Sequence, residues 1–170
     1  MTRYIALLRA VNVGGTSKLQ MSELRAICRE AGFARVETYI ASGNVVFDSR
    51  AGAAKVKSDL ERRLKDHTGK PIKVLVRSAR EMAAVLKANP FANAEPKHTY
   101  AIFLDKSPPP DALTHVTGQR DEKMRLAKKE IFVFYASGMG RSKLKIPAAK
   151  DGTARNMNTV ANLVEIASKP

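Results

Sequence analysis

Short apolar runs alternate with amphipathic segments over the first half of the chain, and this alternation limits the fold more than any other feature. The runs have the length of strands and lie at residues 4–8, 36–40, 45–47 and 72–76. Apolar residues recur at helical spacing over 21–31 and 56–67, and a glycine follows each segment, Gly32 or Gly69. The predicted order is β-α-β-β-α-β, the split motif of ferredoxin-like folds.

The second half repeats this order in part. Its predicted elements are strands over 100–104, 123–127 and 131–135, a short helix through Leu113, and a final helix marked by Val160 and Leu163. This β-α-β-β-α order predicts an α+β protein with a ferredoxin-like first half, residues 1–88, and a partly similar second half, residues 89–170, that includes the C-terminal helix. The halves are expected to pack together, as two subdomains or as one compact unit.

The charge of the chain favours anionic partners. Thirty Lys and Arg residues against sixteen Asp and Glu residues give a net charge of +14, which attracts phosphates and repels basic partners. The excess is spread along the chain, without the dense basic block of a nucleic-acid-binding arm. Two interpretations stay open: a solvated basic surface, or a surface that binds nucleic acid or another polyanion. With no Trp, stacking of single-stranded bases is not favoured.

The cysteine count and the hydropathy pattern indicate a cytoplasmic protein. A single cysteine, Cys28, cannot form an internal disulfide, which favours a reducing compartment. No apolar run reaches the roughly 18 residues that span a bilayer, and the N-terminus lacks the apolar region of a signal peptide. We therefore expect no membrane partner, and the sequence leaves the oligomeric state open.

Five short segments carry a resemblance to a known family. They are residues 7–15 (LLRAVNVGG), 42–47 (SGNVVF), 89–91 (NPF), 142–144 (SKL) and 153–159 (TARNMNT). In this order they resemble the bacterial family known as domain of unknown function 1697 (DUF1697), over essentially the whole chain. Ala10 stands where the family usually has Gly, and Met157 where it often has Trp. The resemblance implies a compact α+β fold of two related subdomains, and it supplies no activity, substrate or cofactor.

The predicted topology brings two distant polar turns together. Strands one and three of the split motif are antiparallel neighbours, so the turn at 12–15 is expected beside the hairpin at 42–44. Glycine backbone N–H groups and nearby cations suit an anion or phosphate. The predicted ligand-binding residues here are Arg9, Asn12, Gly14, Gly15, Lys18, Ser42, Gly43 and Asn44. The alternative is that the glycines only shape the turn from strand to helix.

Two further segments are candidates for the same kind of ligand. Arg141, Ser142 and Lys143 follow a glycine-containing loop, and their cations suit phosphate; a flexible connector with solvated charges is the alternative. Arg155, Asn156 and Asn158 lie at the predicted entrance of the last helix. There they would either clamp a carboxylate or phosphate or cap the helix.

No catalytic motif stands out in the sequence. His67, His98 and His115 lie in separate elements without the spacing of metal ligands, so neither a metal nor a cofactor is predicted. There is no Walker loop, no G-x-G-x-x-G and no G-x-S-x-G. The leading hypothesis is binding of a phosphate-containing ligand or nucleic acid through the polar glycine loops. The alternatives are an enzyme acting on a phosphorylated small molecule and a protein-interaction module with exposed sheet edges.

Overall fold

The computed structural model describes residues 1–12 and 18–170, and over these residues it contains eight strands and four α-helices. The strands are β1 (Thr2–Leu8), β2 (Ala34–Thr38), β3 (Asn44–Ser49), β4 (Val74–Ser78), β5 (Thr99–Phe103), β6 (Lys123–Leu126), β7 (Glu130–Phe134) and β8 (Thr153–Asn156). The helices are α1 (Met21–Glu30), α2 (Ala53–Thr68), α3 (Ala79–Lys87) and α4 (Met157–Ser168). The α+β class predicted from the sequence is confirmed.

The chain divides into two compact units. Unit 1 comprises Met1–Ala83 together with Leu163–Pro170, and unit 2 comprises Ala84–Asn162. Helices α3 and α4 each begin in one unit and end in the other. The predicted division between residues 88 and 89 stays a prediction about domains, because these units describe packing within the chain and not independent folding.

The sheet of unit 1 has the strand order β2-β3-β1-β4, with all neighbours antiparallel. The β-α-β-β-α-β order of elements is the one predicted. Alternate strand residues such as Ala6 and Phe47 share a core with Leu24 of α1 and with Leu60 and Leu64 of α2. Because apolar residues recur along these helices at helical spacing, each helix presents one buried stripe to the sheet.

The edge strand of this sheet is irregular. Its pairing with β3 shifts register between Ala34 and Glu37, and Arg35 between them has φ +47°. The Arg35 Nε donates to Asp48 at 2.6 Å, and this hydrogen bond, ahead of the nearby charge of Arg3, holds the pKa of Asp48 below its usual range. A bulged and charged edge discourages pairing with another strand, so β2 is a poor docking edge.

Unit 2 repeats the strand order of unit 1. Its sheet runs β6-β7-β5-β8, again fully antiparallel. Strands β1 and β5 therefore hold equivalent central positions, and β4 and β8 equivalent edges. In both units this edge strand leads directly into a helix: Ser78 is followed by the first residue of α3, and Asn156 by the first residue of α4.

The predicted order of the second half needs two corrections. Residues 110–115 form turns instead of a short helix, with bonds such as Ala112 N–H to the Pro109 carbonyl at 3.0 Å. Only Ala112 of these residues is buried, so the segment lacks the apolar stripe by which a short helix packs against the rest of the protein. The second correction is β8, a strand where the entrance of the last helix was predicted. Its polar sequence has no strand pattern, and the strand forms because β5 offers an open edge for pairing.

The helix ends agree with the predicted stops. Gly69 follows α2 with φ +77°, a left-handed conformation that glycine adopts without strain, and its N–H donates to the Lys65 carbonyl at 2.8 Å. None of the helices within the described residues combines the length and the apolar character that crossing a membrane requires.

Candidate functional site

Three loops meet at one end of the unit 1 sheet. We call this region the loop end; its described residues are 9–12, 18–20, 39–43 and 69–73. Leu8 N–H donates to the Gly43 carbonyl, and Arg9 N–H donates to the Lys73 carbonyl, both at 2.9 Å. The chain leaving β1 is thus joined to the hairpin before β3 and to the loop before β4, as antiparallel pairing requires.

Asn12 links these loops through its side chain. Its Nδ2 donates to the carbonyls of Leu19 at 2.7 Å and Ala41 at 2.8 Å, and its Oδ1 accepts from Leu19 N–H at 2.8 Å. The predicted proximity of Asn12 to the β2–β3 hairpin is therefore observed. Because both amide protons are already donated within the protein, this side chain frames the loop end and leaves no N–H for a ligand.

The hairpin residues predicted for the site are also held from within. Asn44 is fully buried, and its Nδ2 donates to the Tyr39 carbonyl at 2.8 Å and to Ser42 Oγ at 3.0 Å. Gly43 has φ +91°, and a Cβ there would lie 2.7 Å from Val11 Cγ2. Glycine is thus required at this position by both backbone conformation and close packing.

The backbone of the loop end is strained. Four non-glycine residues of the described chain have positive φ, and three of them lie here: Ala10 at +55°, Asn12 at +56° and Ile40 at +49°. Asparagine tolerates this region, whereas a β-branched residue such as isoleucine is a clear outlier. Ile40 is also 49% exposed. Such conformations persist only where the surroundings impose them, and they concentrate at functional sites.

The charge at the loop end has one sign. Arg9, Lys18, Lys70 and Lys73 are its four charged residues, and its sequence contains no Asp or Glu. The three lysines are exposed, and Arg9 is half-buried. Gly14 and Gly15, predicted to approach a ligand with their backbone, lie outside the described residues.

A surface depression of about 630 Å³ opens beside Lys18, the one of the four cations that contributes to its lining. It is lined by Asn12, Lys18, Gln20 and Ala41, together with residues of the first turn of α1. One of them, Glu23, accepts a hydrogen bond from Gln20 N–H at 2.8 Å, and this bond lowers the pKa of its carboxyl group. The start of α1 is thus already capped by its own carboxylate, so the cations and not the helix end would hold an anion.

The second predicted loop is built around a carboxylate that the sequence analysis missed. Ser142 Oγ donates to Glu122, which is buried, and Arg120 N–H donates to the same carboxylate at 2.6 Å. The Ser142 hydrogen bond, followed by the Arg120 N–H, lowers the pKa of Glu122. Arg141 and Lys143 are exposed. Gly118 precedes Asp121 and Glu122 in the sequence and indicates a tight turn there, but it does not predict the contact with Ser142.

The three residues of the third predicted cluster, Arg155, Asn156 and Asn158, have different roles. Asn156 caps α4, since its Oδ1 accepts from Thr159 N–H at 2.9 Å. Arg155 is buried on β8, its Nη1 donates to the Ala154 carbonyl at 2.9 Å, and burial lowers its pKa to about 10. Asn158 is exposed in the first turn of α4. Capping therefore accounts for Asn156, and Arg155 lies within the protein.

The remaining reactive groups do not form a site. Cys28 is buried, and burial raises the pKa of its thiol to about 12, so the reactive thiolate is suppressed at neutral pH. Over residues 1–12 and 18–170, no three His, Cys, Asp or Glu side chains come together as metal ligands would.

Comparisons with known proteins agree with this fold. A conserved bacterial protein from Streptococcus pneumoniae is similar in structure, with a TM-score of 0.81 and 27% sequence identity over 98% of this chain and 99% of that protein. None of the curated proteins matches the chain. The model of a family described as protein of unknown function, DUF1697, matches residues 1–132. The match includes three of the five segments, at 7–15, 42–47 and 89–91; the family resemblance is thereby confirmed, and the chain belongs to DUF1697.

Proposed function

We propose that the protein binds a phosphate-containing anion at the loop end of unit 1. The observation that carries this proposal is the charge of these loops: four basic residues, Arg9, Lys18, Lys70 and Lys73, and no acidic residue. Cations in loops that carry no acidic residue of their own attract anions, and Lys and Arg are the side chains that hold phosphate.

The shape of the loop end supports the same function. The depression beside Lys18 offers about 630 Å³, within the range of roughly 300–1,000 Å³ of small-molecule sites. Asn12 fixes the positions of the surrounding loops through its three hydrogen bonds. Because the loops are already fixed, less conformational entropy is lost when a ligand binds.

The roles within the site follow from the geometry. Asn12 and Asn44 form the frame, because their amide protons are donated to protein acceptors. The exposed side chains of Lys18 and Lys70 supply charge and hydrogen-bond donors. A ligand with more than one phosphate, or a nucleic-acid backbone, would gain from this spread of cations.

The test compares two double variants by titration followed with amide NMR. The probes are inorganic phosphate, ATP and a mixed-sequence oligonucleotide. We expect Lys18→Ala with Lys70→Ala to weaken binding about tenfold or more, since each charge-assisted contact contributes about 1.5 kcal/mol or more. The matched control is Lys97→Ala with Lys106→Ala, which removes two exposed cations of unit 2.

The outcomes separate a site from a diffuse field. Shifts confined to the loop end, with the control bound within about twofold of the unmodified protein, support the proposal. Equal weakening by both double variants, with a steep salt dependence, would show general attraction by net charge and contradict it. The absence of shifts with all three probes would contradict it too.

A further inference from the structure

Unit 2 contains a polar cavity of about 660 Å³ with charged walls of both signs. Its polar lining comes from the segment before β6 and from the loop after β7: Arg120, Asp121, Glu122, Ser137, Arg141 and Ser142. All of these residues belong to unit 2, so the cavity does not depend on the loop end of unit 1.

The two segments that line the cavity are joined beside it by a pair of backbone hydrogen bonds. Thr117 N–H donates to the Lys145 carbonyl at 3.0 Å, and Lys145 N–H donates back at 2.8 Å. Gly118 has φ +72°, and a Cβ there would lie 2.1 Å from the Lys143 carbonyl oxygen. Only glycine permits this approach of the two backbones, so the cavity is built into the fold of the unit.

The two carboxylates of the cavity differ in what they can still bind. Glu122 is 5% exposed and already accepts from Ser142 Oγ and Arg120 N–H. Asp121 is exposed, and Ser137 Oγ donates to its Oδ2 at 2.5 Å. This single hydrogen bond orients the Asp121 carboxylate and leaves its other oxygen to accept from a ligand.

The cations of the cavity are two exposed arginines. Within the described chain, the guanidinium groups of Arg120 and Arg141 make no hydrogen bond or ion pair, although the charge of Arg120 helps to lower the pKa of Glu122. A guanidinium binds a carboxylate through two parallel N–H bonds. Arg141, which follows the turn at Gly138, is therefore free to take a ligand carboxylate.

We propose that this cavity binds a small zwitterion of the α-amino acid class, with its carboxylate on Arg141 and its ammonium group on Asp121. The charges favour such a ligand over a simple ion. A phosphate would meet the repulsion of Asp121 and Glu122, and a lone cation would meet that of the two arginines. A molecule with both charges meets attraction at each wall, and the cavity volume leaves room for its side chain.

The first experiment tests the class of ligand by calorimetry and amide NMR. The probes are an equimolar mixture of amino acids, then each amino acid singly, with acetate, methylammonium and inorganic phosphate for comparison. We expect one or more amino acids to shift the amides of residues 120–122 and 137–142. Acetate and methylammonium are each expected to bind with an affinity at least about tenfold lower, because each makes only one of the two charged contacts.

The second experiment tests the two contacts with conservative variants. Arg141→Ala removes an exposed side chain, and Asp121→Asn removes the charge while keeping an oxygen to accept from Ser137. Each should weaken binding of the amino acid about tenfold or more. Lys143→Ala is the matched control, because Lys143 is an exposed cation of the same loop that does not line the cavity. We expect it to bind within about twofold of the unmodified protein.

Three results would overturn the proposal. One is the absence of shifts in these amides with every amino acid at millimolar concentration. Another is inorganic phosphate binding in the cavity more tightly than any amino acid. The third is an equal loss of affinity in Lys143→Ala and Arg141→Ala, which would assign the binding to the general charge of the loop. Binding at the loop end of unit 1 is measured by different amides, so the two proposals succeed or fail separately.

Discussion

The two units share one strand order and differ in the loops at the same end of the sheet. In unit 1 the loops after β1, before β3 and before β4 carry four basic and no acidic residues. In unit 2 the equivalent loops, residues 104–109, 127–129 and 150–152, carry four basic and two acidic residues. The same topology therefore brings three loops together twice, and only the side chains decide what those loops attract.

The units also differ in how their loops turn. Unit 1 places non-glycine residues in left-handed conformations, among them Asn12 and Ile40. In unit 2, which lies entirely within the described residues, positive φ occurs only at Gly118 and Gly138. Unit 1 thus carries backbone strain at its loop end, whereas unit 2 avoids it with glycine.

The largest effect is expected from Gly118→Ala in unit 2. The new Cβ would combine a left-handed conformation with a clash against the Lys143 carbonyl oxygen at 2.1 Å. We expect the free energy of unfolding to fall by about 3 kcal/mol or more. Gly69→Ala, at φ +77° with no atom within 4 Å of the added Cβ, should cost only about 1 kcal/mol. Chemical denaturation measures both, and equal losses would contradict the close approach at Gly118.

A smaller effect is expected from Asn12→Ala in unit 1. Alanine loses three hydrogen bonds and tolerates φ +56° less well than asparagine. The free energy of unfolding should fall by about 2 kcal/mol. Asn12→Gly loses the same bonds without the strain, so it should be about 1 kcal/mol more stable than the alanine variant. If neither variant lowers the denaturation midpoint, Asn12 does not hold the loops together.

The smallest effect is expected from Ile40→Gly, and its sign is opposite. Glycine relieves the left-handed strain at φ +49°, while its greater freedom in the unfolded chain offsets part of the gain. We expect a stabilisation of about 0.5–1 kcal/mol. Ile40→Val keeps the β-branched side chain and should leave stability unchanged. Destabilisation by glycine would mean that the exposed isoleucine side chain contributes more than the strain costs.

The sequence predicts the elements whose apolar residues recur at a regular spacing. It does not predict a strand that forms only because it pairs with a neighbouring strand. The segment over 56–67 predicts the middle of α2, and Gly69 predicts its end, because both depend on local structure. Strand β8 has the sequence Thr-Ala-Arg-Asn, without an apolar run, and it exists because it pairs with β5. Local patterns do not contain that information.

For the candidate site, too, the sequence predicts one part and not the other. The approach of Asn12 to the hairpin follows from strand order, which the sequence predicts. The roles of Asn12 and Asn44 as frame residues do not follow, because an amide in a loop suits a ligand and a carbonyl group equally well. Glu122 was missed because nothing in its neighbourhood shows that Ser142, twenty residues away, would donate to it.

In both units the edge strand passes into a helix without a connecting residue, at Ser78 and at Asn156. Strand register and helix rotation are consequently coupled at these two positions. Moving the junction by one residue would turn the helix by about 100° and send each strand side chain to the opposite face. An insertion or deletion here would misplace two buried surfaces at once, so length changes should be excluded from these junctions.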